Sequence, residues 1–178
     1  MVTSSFSDSN DKPRIMVIED DEANRLLFAD YLTFVGFEVR ALADGLTLDE
    51  QLKAFQPDLL LLDLGLPHID GYSLLATLRD HPQGQSLPVV VVSGYAFLEN
   101  QNRALALGAQ KYLVKPIRLK ELIGTISTVL AAQNPRFASL AQGAEPEGLG
   151  NWPRLPRPSP DDAGSRPPNC DRRPEETN

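Results

Sequence analysis

Apolar residues follow two rhythms along this chain. Short runs rich in branched side chains, over residues 14–19, 37–43, 58–63, 88–93 and 111–114, alternate with longer stretches whose apolar positions recur at three- and four-residue steps. The first rhythm predicts strands and the second predicts helices. Their strict alternation is the pattern of strand–helix units built around a parallel sheet. Four successive leucines at 59–62 and four successive valines at 89–92 show no polar alternation. A strand covered by helices on both faces has no solvated side, so these runs read as central strands.

The helix predicted over 22–35 places Ala23, Leu26, Leu27, Tyr31 and Phe34 on one stripe, with Gly36 where a left-handed C-cap stands. A second, over 45–55, stops before Pro57, and a third, over 71–80, stops before Pro82. The fourth, over 100–107, is closed by Gly108 and carries a weak stripe. The fifth, over 118–132, is the most regular, with Leu119, Leu122, Ile123, Ile126, Val129 and Leu130 in step. The fold class expected is α/β, a five-stranded parallel sheet with flanking helices.

A chain of 178 residues with 42% apolar content suits one core of ordinary size, which the rhythm places over 12–133. Residues 1–11 are polar, lack the basic and apolar regions of a secretory signal, and are expected to be a flexible leader. Residues 134–178 are expected to form a disordered Pro-rich tail. From Ala141 onward the chain holds 8 of the 15 prolines and no lysine, too little apolar surface to offset chain entropy. Within it, Trp152 and the run Pro153-Arg-Leu-Pro-Arg-Pro-Ser-Pro read either as a polyproline docking segment or as plain tail. The net charge of −7 lacks the basic footprint of a nucleic-acid binder. A lone Cys170 cannot make an internal disulfide, which fits a cytoplasmic setting. No apolar run approaches the ~20 residues of a membrane span.

In a parallel sheet all strands end at one edge, and ligands bind there. Glu19 and Asp20 fall at the end of the first strand, Asp63 at the end of the third, Ser93 at the end of the fourth, and Lys115 just past the fifth. Each has an ordinary reading alone: Asp20 or Asp21 as cap of the first helix, Ser93 as cap of the fourth, Asp63 bonded to a loop, Lys115 solvated. Together they place three carboxylates, a hydroxyl and an ammonium at one edge. Gathered carboxylates resist joint ionisation unless a cation joins them, and hard oxygen donors without Cys or paired His favour Mg²⁺. An aspartate in that setting, with a lysine and a hydroxyl for the remaining oxygens, is arranged to accept a phosphoryl group as an acyl phosphate.

Four segments make a resemblance specific: Ile15-Met-Val-Ile-Glu-Asp-Asp, Asp58-Leu-Leu-Leu-Leu-Asp-Leu-Gly-Leu-Pro-His-Ile-Asp-Gly, Val89-Val-Val-Val-Ser-Gly and Gly108-Ala-Gln-Lys-Tyr-Leu-Val-Lys-Pro. In this order and spacing they resemble the response-regulator receiver family of two-component signalling, over roughly Pro13 to Ala132. The resemblance implies a flavodoxin-like (βα)5 fold with strand order 2-1-3-4-5. It implies Asp63 as phosphoacceptor and Mg²⁺ held by Asp20, by Glu19 through water, by Asp63 and by the Gly65 carbonyl. Lys115 and Ser93 would contact the phosphoryl oxygens, Ser93 and Tyr112 would switch together, and the Lys115–Pro116 bond would be cis.

By the same resemblance the phosphodonor is a histidine kinase or histidine phosphotransfer protein. The domain catalyses its own Mg²⁺-dependent phosphorylation and dephosphorylation, and is not otherwise an enzyme. Output runs to a protein target through the face of the fourth helix, fifth strand and fifth helix. With no folded region expected after the fifth helix, a single-domain regulator without a DNA-binding or enzymatic domain is expected. Two positions depart from the family pattern: Glu19 stands where Asp is common, and Gly94 follows Ser93. A phosphohydrolase built on the same chemistry would carry an acid two residues after the nucleophile, where this chain has Gly65. A phosphorylation-independent pseudo-receiver would lack the acceptor, the metal carboxylate or the lysine. Pro67, Asp70 and Gly71 read as turn formers and a helix start, and His68 as surface.

Overall fold

Two cores, one on each face of a single sheet, explain the unbroken apolar runs. Side chains alternate across a strand, so Ile15, Val17, Leu59, Leu61, Val90 and Val92 enter one core and Met16, Ile18, Leu60, Leu62, Val89 and Val91 the other. The computed structural model describes residues 12–142. They run β1 (Arg14–Ile18), α1 (Glu22–Phe34), β2 (Glu38–Leu42), α2 (Leu48–Phe55), β3 (Leu59–Leu62), α3 (Gly71–Asp80), β4 (Val89–Ser93), α4 (Leu98–Ala106), β5 (Lys111–Val114) and α5 (Leu119–Gln133), then a 3-10 segment, Pro135–Gln142. All strand pairs are parallel, in the expected order β2-β1-β3-β4-β5. The first core is closed by α1 and α5, through Phe28, Leu32, Leu122, Ile126, Val129 and Leu130. The second is closed mainly by α2 and α3, through Leu48, Leu52, Phe55, Leu74, Leu75 and Leu78. Among the described residues no helix is long and apolar enough to cross a membrane.

Helix ends follow local chemistry. Asp21 is the N-cap of α1, its side chain accepting the Asn24 N–H at 2.8 Å. Gly36, at φ 106°, ends that helix: its N–H donates to Thr33 and the Phe37 N–H to Leu32, the paired bonds of a Schellman motif. Asp70 caps α3 by accepting from Tyr72 N. A left-handed Gln56 (φ 50°) closes α2 ahead of Pro57.

Three expectations need correction. The core stripe of α1 is Phe28, Tyr31 and Leu32, whereas Leu26 and Phe34 lie about half exposed at 54% and 48%. Helix α2 begins at Leu48 and not at 45, because Gly45 is buried in a turn where an added Cβ would stand 2.7 Å from Leu74 Cδ2. The tail does not begin at 134: Pro135–Gln142 is a 3-10 segment whose Phe137 is buried in the α1/α5 core, and Arg136 pairs with Asp58 at 2.7 Å. Burial of one such ring contributes roughly 1.5–3 kcal/mol toward holding the segment. Residues 1–11 and 143–178, with Trp152 and the proline-rich run, lie outside the described residues.

Candidate functional site

After β1, β3 and β5 the strand ladder continues one residue further, and that residue carries the chemistry. Beyond β1, the Glu19 N–H donates to Leu42 O at 3.1 Å; beyond β3, the Asp63 N–H donates to Ile18 O at 2.9 Å; beyond β5, the Lys115 N–H donates to Ser93 O at 2.9 Å. Glu19, Asp63 and Lys115 are thus held by backbone bonds to neighbouring strands, with side chains at the same sheet edge. A site on a rigid ladder keeps its geometry better than one on a free loop.

The side chains meet. Lys115 Nζ donates to both Glu19 carboxylate oxygens at 2.7 Å and to Asp63 Oδ2 at 2.6 Å. Asp63 Oδ1 accepts the Gly65 N–H at 2.9 Å. Glu19 and Asp63 are buried. Burial pushes the Glu19 carboxyl above its usual range; the Lys115 hydrogen bond opposes this and the Asp63 charge adds to it. Burial works against the Lys115 ammonium, but its bonds to Asp63 and Glu19 outweigh that and raise its pKa.

Glu19, Asp20 and Asp63 each bring one carboxylate oxygen within 4.8 Å of the others. With Asp21 serving as the helix cap, Asp20 is not needed there and stands exposed at the mouth of the cluster. Three hard oxygen donors around one point, with no thiolate or imidazole among them, fit Mg²⁺ as the donor set. The ammonium of Lys115 supplies one positive charge to two buried carboxylates and leaves Asp20 uncompensated, so the cluster retains room electrostatically for a divalent cation.

Ser93 and Tyr112 adjoin this group on the β4/β5 side. Ser93 is fully buried and does not cap α4, whose N-cap is Phe97 without a side-chain bond. Its Oγ accepts the Tyr95 N–H at 3.3 Å. The half-buried Tyr112 donates its hydroxyl to the Tyr95 carbonyl at 2.8 Å. Its pKa is raised, first by burial, with a hydrogen bond from Ser93 opposing and the Asp63 and Tyr95 charges adding. The β4–α4 loop is therefore bonded at Tyr95 to both Ser93 and Tyr112. The Lys115–Pro116 peptide is cis. His68 is exposed in the β3–α3 loop and His81 lies 3.6 Å from Asp49, so neither joins the cluster.

Several contributors escaped the sequence reading. Asn24 reaches Glu19 Oε1 at 3.4 Å from the first turn of α1, and Arg25 reaches the carbonyls behind the acidic pair. Gly71 packs so closely that an added Cβ would stand 2.5 Å from Leu64 Cα and 3.0 Å from Asp63 O. Nothing in periodicity signals such contacts. The glycine at a helix start was the one visible hint.

Comparison with known proteins matches residues 15–127 to the model of the response regulator receiver domain. The phosphate regulon transcriptional regulatory protein PhoB of Rhizobium meliloti is 35% identical over 127 residues, 71% of this chain but only 56% of that protein, so the chain spans about half of that longer relative. The polar-differentiation response regulator DivK of Brucella anthropi is 31% identical over 116 residues, 65% of this chain and 94% of that protein. Among solved structures, the receiver domain of the sensor histidine kinase PA1611 of Pseudomonas aeruginosa, with a magnesium ion coordinated in its active-site cleft, superposes with a TM-score of 0.62. It is 26% identical, over 67% of this chain and 98% of that one.

Proposed function

The chain belongs to the response regulator receiver family, and from that premise we propose that Asp63 accepts a phosphoryl group and that the domain then switches conformation to control a protein partner. The observation that carries this is the Lys115 ammonium shared between Asp63 and Glu19 beside the exposed Asp20 carboxylate. The donor is a phosphohistidine on a kinase or phosphotransfer protein. The donor's P–N bond breaks as a P–O bond to Asp63 forms, and the imidazole nitrogen left behind takes up a proton. Family phosphodonors act in the cytoplasm, and the same compartment is proposed here.

Asp63 is the nucleophile, buried and aimed by its bonds to Gly65 N–H and Lys115. Asp20, Glu19, Asp63 and the Gly65 carbonyl would hold Mg²⁺, which supplies charge neutralisation for the incoming phosphoryl oxygens. Lys115 turns from Asp63 toward one of those oxygens, and the Ser93 hydroxyl donates to another. Ser93 then turns its proton from the Tyr112 hydroxyl to that oxygen, and Tyr112 loses its present acceptor, the Tyr95 carbonyl, as the β4–α4 loop moves. A modification shifts such an equilibrium only through contacts that differ between the two states, and these are the contacts.

Output is proposed to run through α4, β5 and α5 to a protein partner. Phe97 and Leu98 stand 78% and 69% exposed at the start of α4, which buries only Ala104, so this element is weakly tied to the core. The proposal is tested by incubating the chain with Mg²⁺ and a small-molecule phosphodonor and reading intact mass. One phosphoryl group per chain, lost in Asp63→Asn and in EDTA, is the expected result. Continuous phosphate release from many phosphate esters would instead mark a phosphohydrolase, and no labelling a pseudo-receiver.

A further inference from the structure

Three successive carbonyls, those of Glu19, Asp20 and Asp21, converge on one residue of α1. Arg25 Nη1 donates to Glu19 O at 2.9 Å and to Asp20 O at 2.9 Å, and the Arg25 backbone N–H donates to Asp21 O at 2.9 Å. The last ladder bond of this strand is made by the Glu19 N–H, so Asp20 lies beyond the sheet's hold. Among the described residues the exposed Asp20 carboxylate makes no hydrogen bond or ion pair, and its place is set by its backbone alone. The backbone there is fixed by the half-buried Arg25.

We propose that Arg25 is a positioning residue for the cation site: its guanidinium locks the β1–α1 turn so that the Asp20 carboxylate stays beside those of Glu19 and Asp63. This rests on the phosphoryl-acceptor reading and assigns that site a residue which touches neither cation nor phosphate. Two effects of Arg25 on a bound cation oppose each other. Its charge repels a cation, and its hydrogen bonds keep the ligands assembled. The charge is spread over a planar group engaged with carbonyl oxygens near solvent, where screening weakens repulsion. Loss of a partner that orients a metal ligand costs about tenfold or more in metal affinity. Positioning therefore dominates.

The test is calorimetric titration of the full chain with Mg²⁺, comparing the parent with R25M, R25Q and R25K, and with Asp20→Asn as the reference for loss of a ligand. R25M and R25Q are expected to bind about tenfold more weakly. R25K keeps a donor within reach of both carbonyls and is expected to rescue most of that loss. Circular dichroism at the titration temperature identifies folded variants; if R25M does not fold, R25Q carries the comparison. Affinity in the neutral variants equal to or tighter than the parent's would overturn the assignment, since it would leave Arg25 only structural or repulsive. A parent chain that takes up no Mg²⁺ would overturn the phosphoryl-acceptor reading itself, and this inference with it.

Discussion

Replacing Lys115 with methionine keeps the length of the side chain and removes the ammonium bonded to the two buried carboxylates Glu19 and Asp63. In the parent, Nζ lies 2.6–2.7 Å from oxygens of Asp63 and Glu19, whose side chains are 8% and 2% exposed. Breaking a buried pair by deleting one partner costs about 3–5 kcal/mol, because the remaining charge is stranded. Lys115 is 21% exposed, so the lower end, about 3 kcal/mol, is expected at neutral pH in EDTA. Glu19 is already raised by burial, and removal of Lys115 takes away the main contribution pulling it down. A carboxyl group whose folded pKa exceeds its unfolded one favours folding while protonated and loses that contribution as pH rises through the folded value. The variant should therefore regain stability relative to the parent as pH falls into the carboxylate range. A cation that binds only the native cluster stabilises it by about 2.7 kcal/mol at a hundredfold excess over Kd. Saturating Mg²⁺ should then narrow the gap if it compensates the freed carboxylates. Urea denaturation followed by circular dichroism, at two pH values with EDTA or Mg²⁺, reads all three effects. A loss below about 1 kcal/mol in EDTA, or a gap that widens on acidification, would refute the reasoning.

Other outcomes follow from single contacts. Gly71→Ala places a methyl against Leu64 Cα and Asp63 O and should cost about 2 kcal/mol while slowing phosphorylation, because the acceptor loop must move; a silent variant would mean the loop yields freely. Phe137→Ala should lower stability by about 3 kcal/mol in urea denaturation, whereas a domain ending at 133 would feel almost nothing. Asp21→Ala should cost about 1 kcal/mol as a lost N-cap and leave Mg²⁺ affinity unchanged, while Asp20→Asn should do the reverse, a separation that paired titration and denaturation would expose.

The strands were legible because a sheet covered on both faces writes itself as consecutive apolar residues, and the site because its members stand at or just past the C-terminal ends of those strands. Helix α1 was harder. Leu26, Leu27, Phe28, Tyr31, Leu32 and Phe34 surround its axis, so periodicity alone does not choose a face, and the core is set by what α5 and the sheet present. Arg25 is unremarkable in sequence, since its role depends on two carbonyls that the β1–α1 turn brings to its guanidinium. Phe137 read as tail because a segment as short as Pro135–Gln142 carries no periodicity of its own. Its burial depends on the core that α1 and α5 close against the sheet, which exists only in the fold.

The measurement closest to the centre of this account is chemical trapping of the phosphorylated residue. After labelling in Mg²⁺ with a small phosphodonor, borohydride reduction and peptide sequencing should find homoserine at position 63 and nowhere else. A label on His68, His81 or a hydroxyl residue, or an Asp63 that stays unreduced in labelled protein, would contradict it.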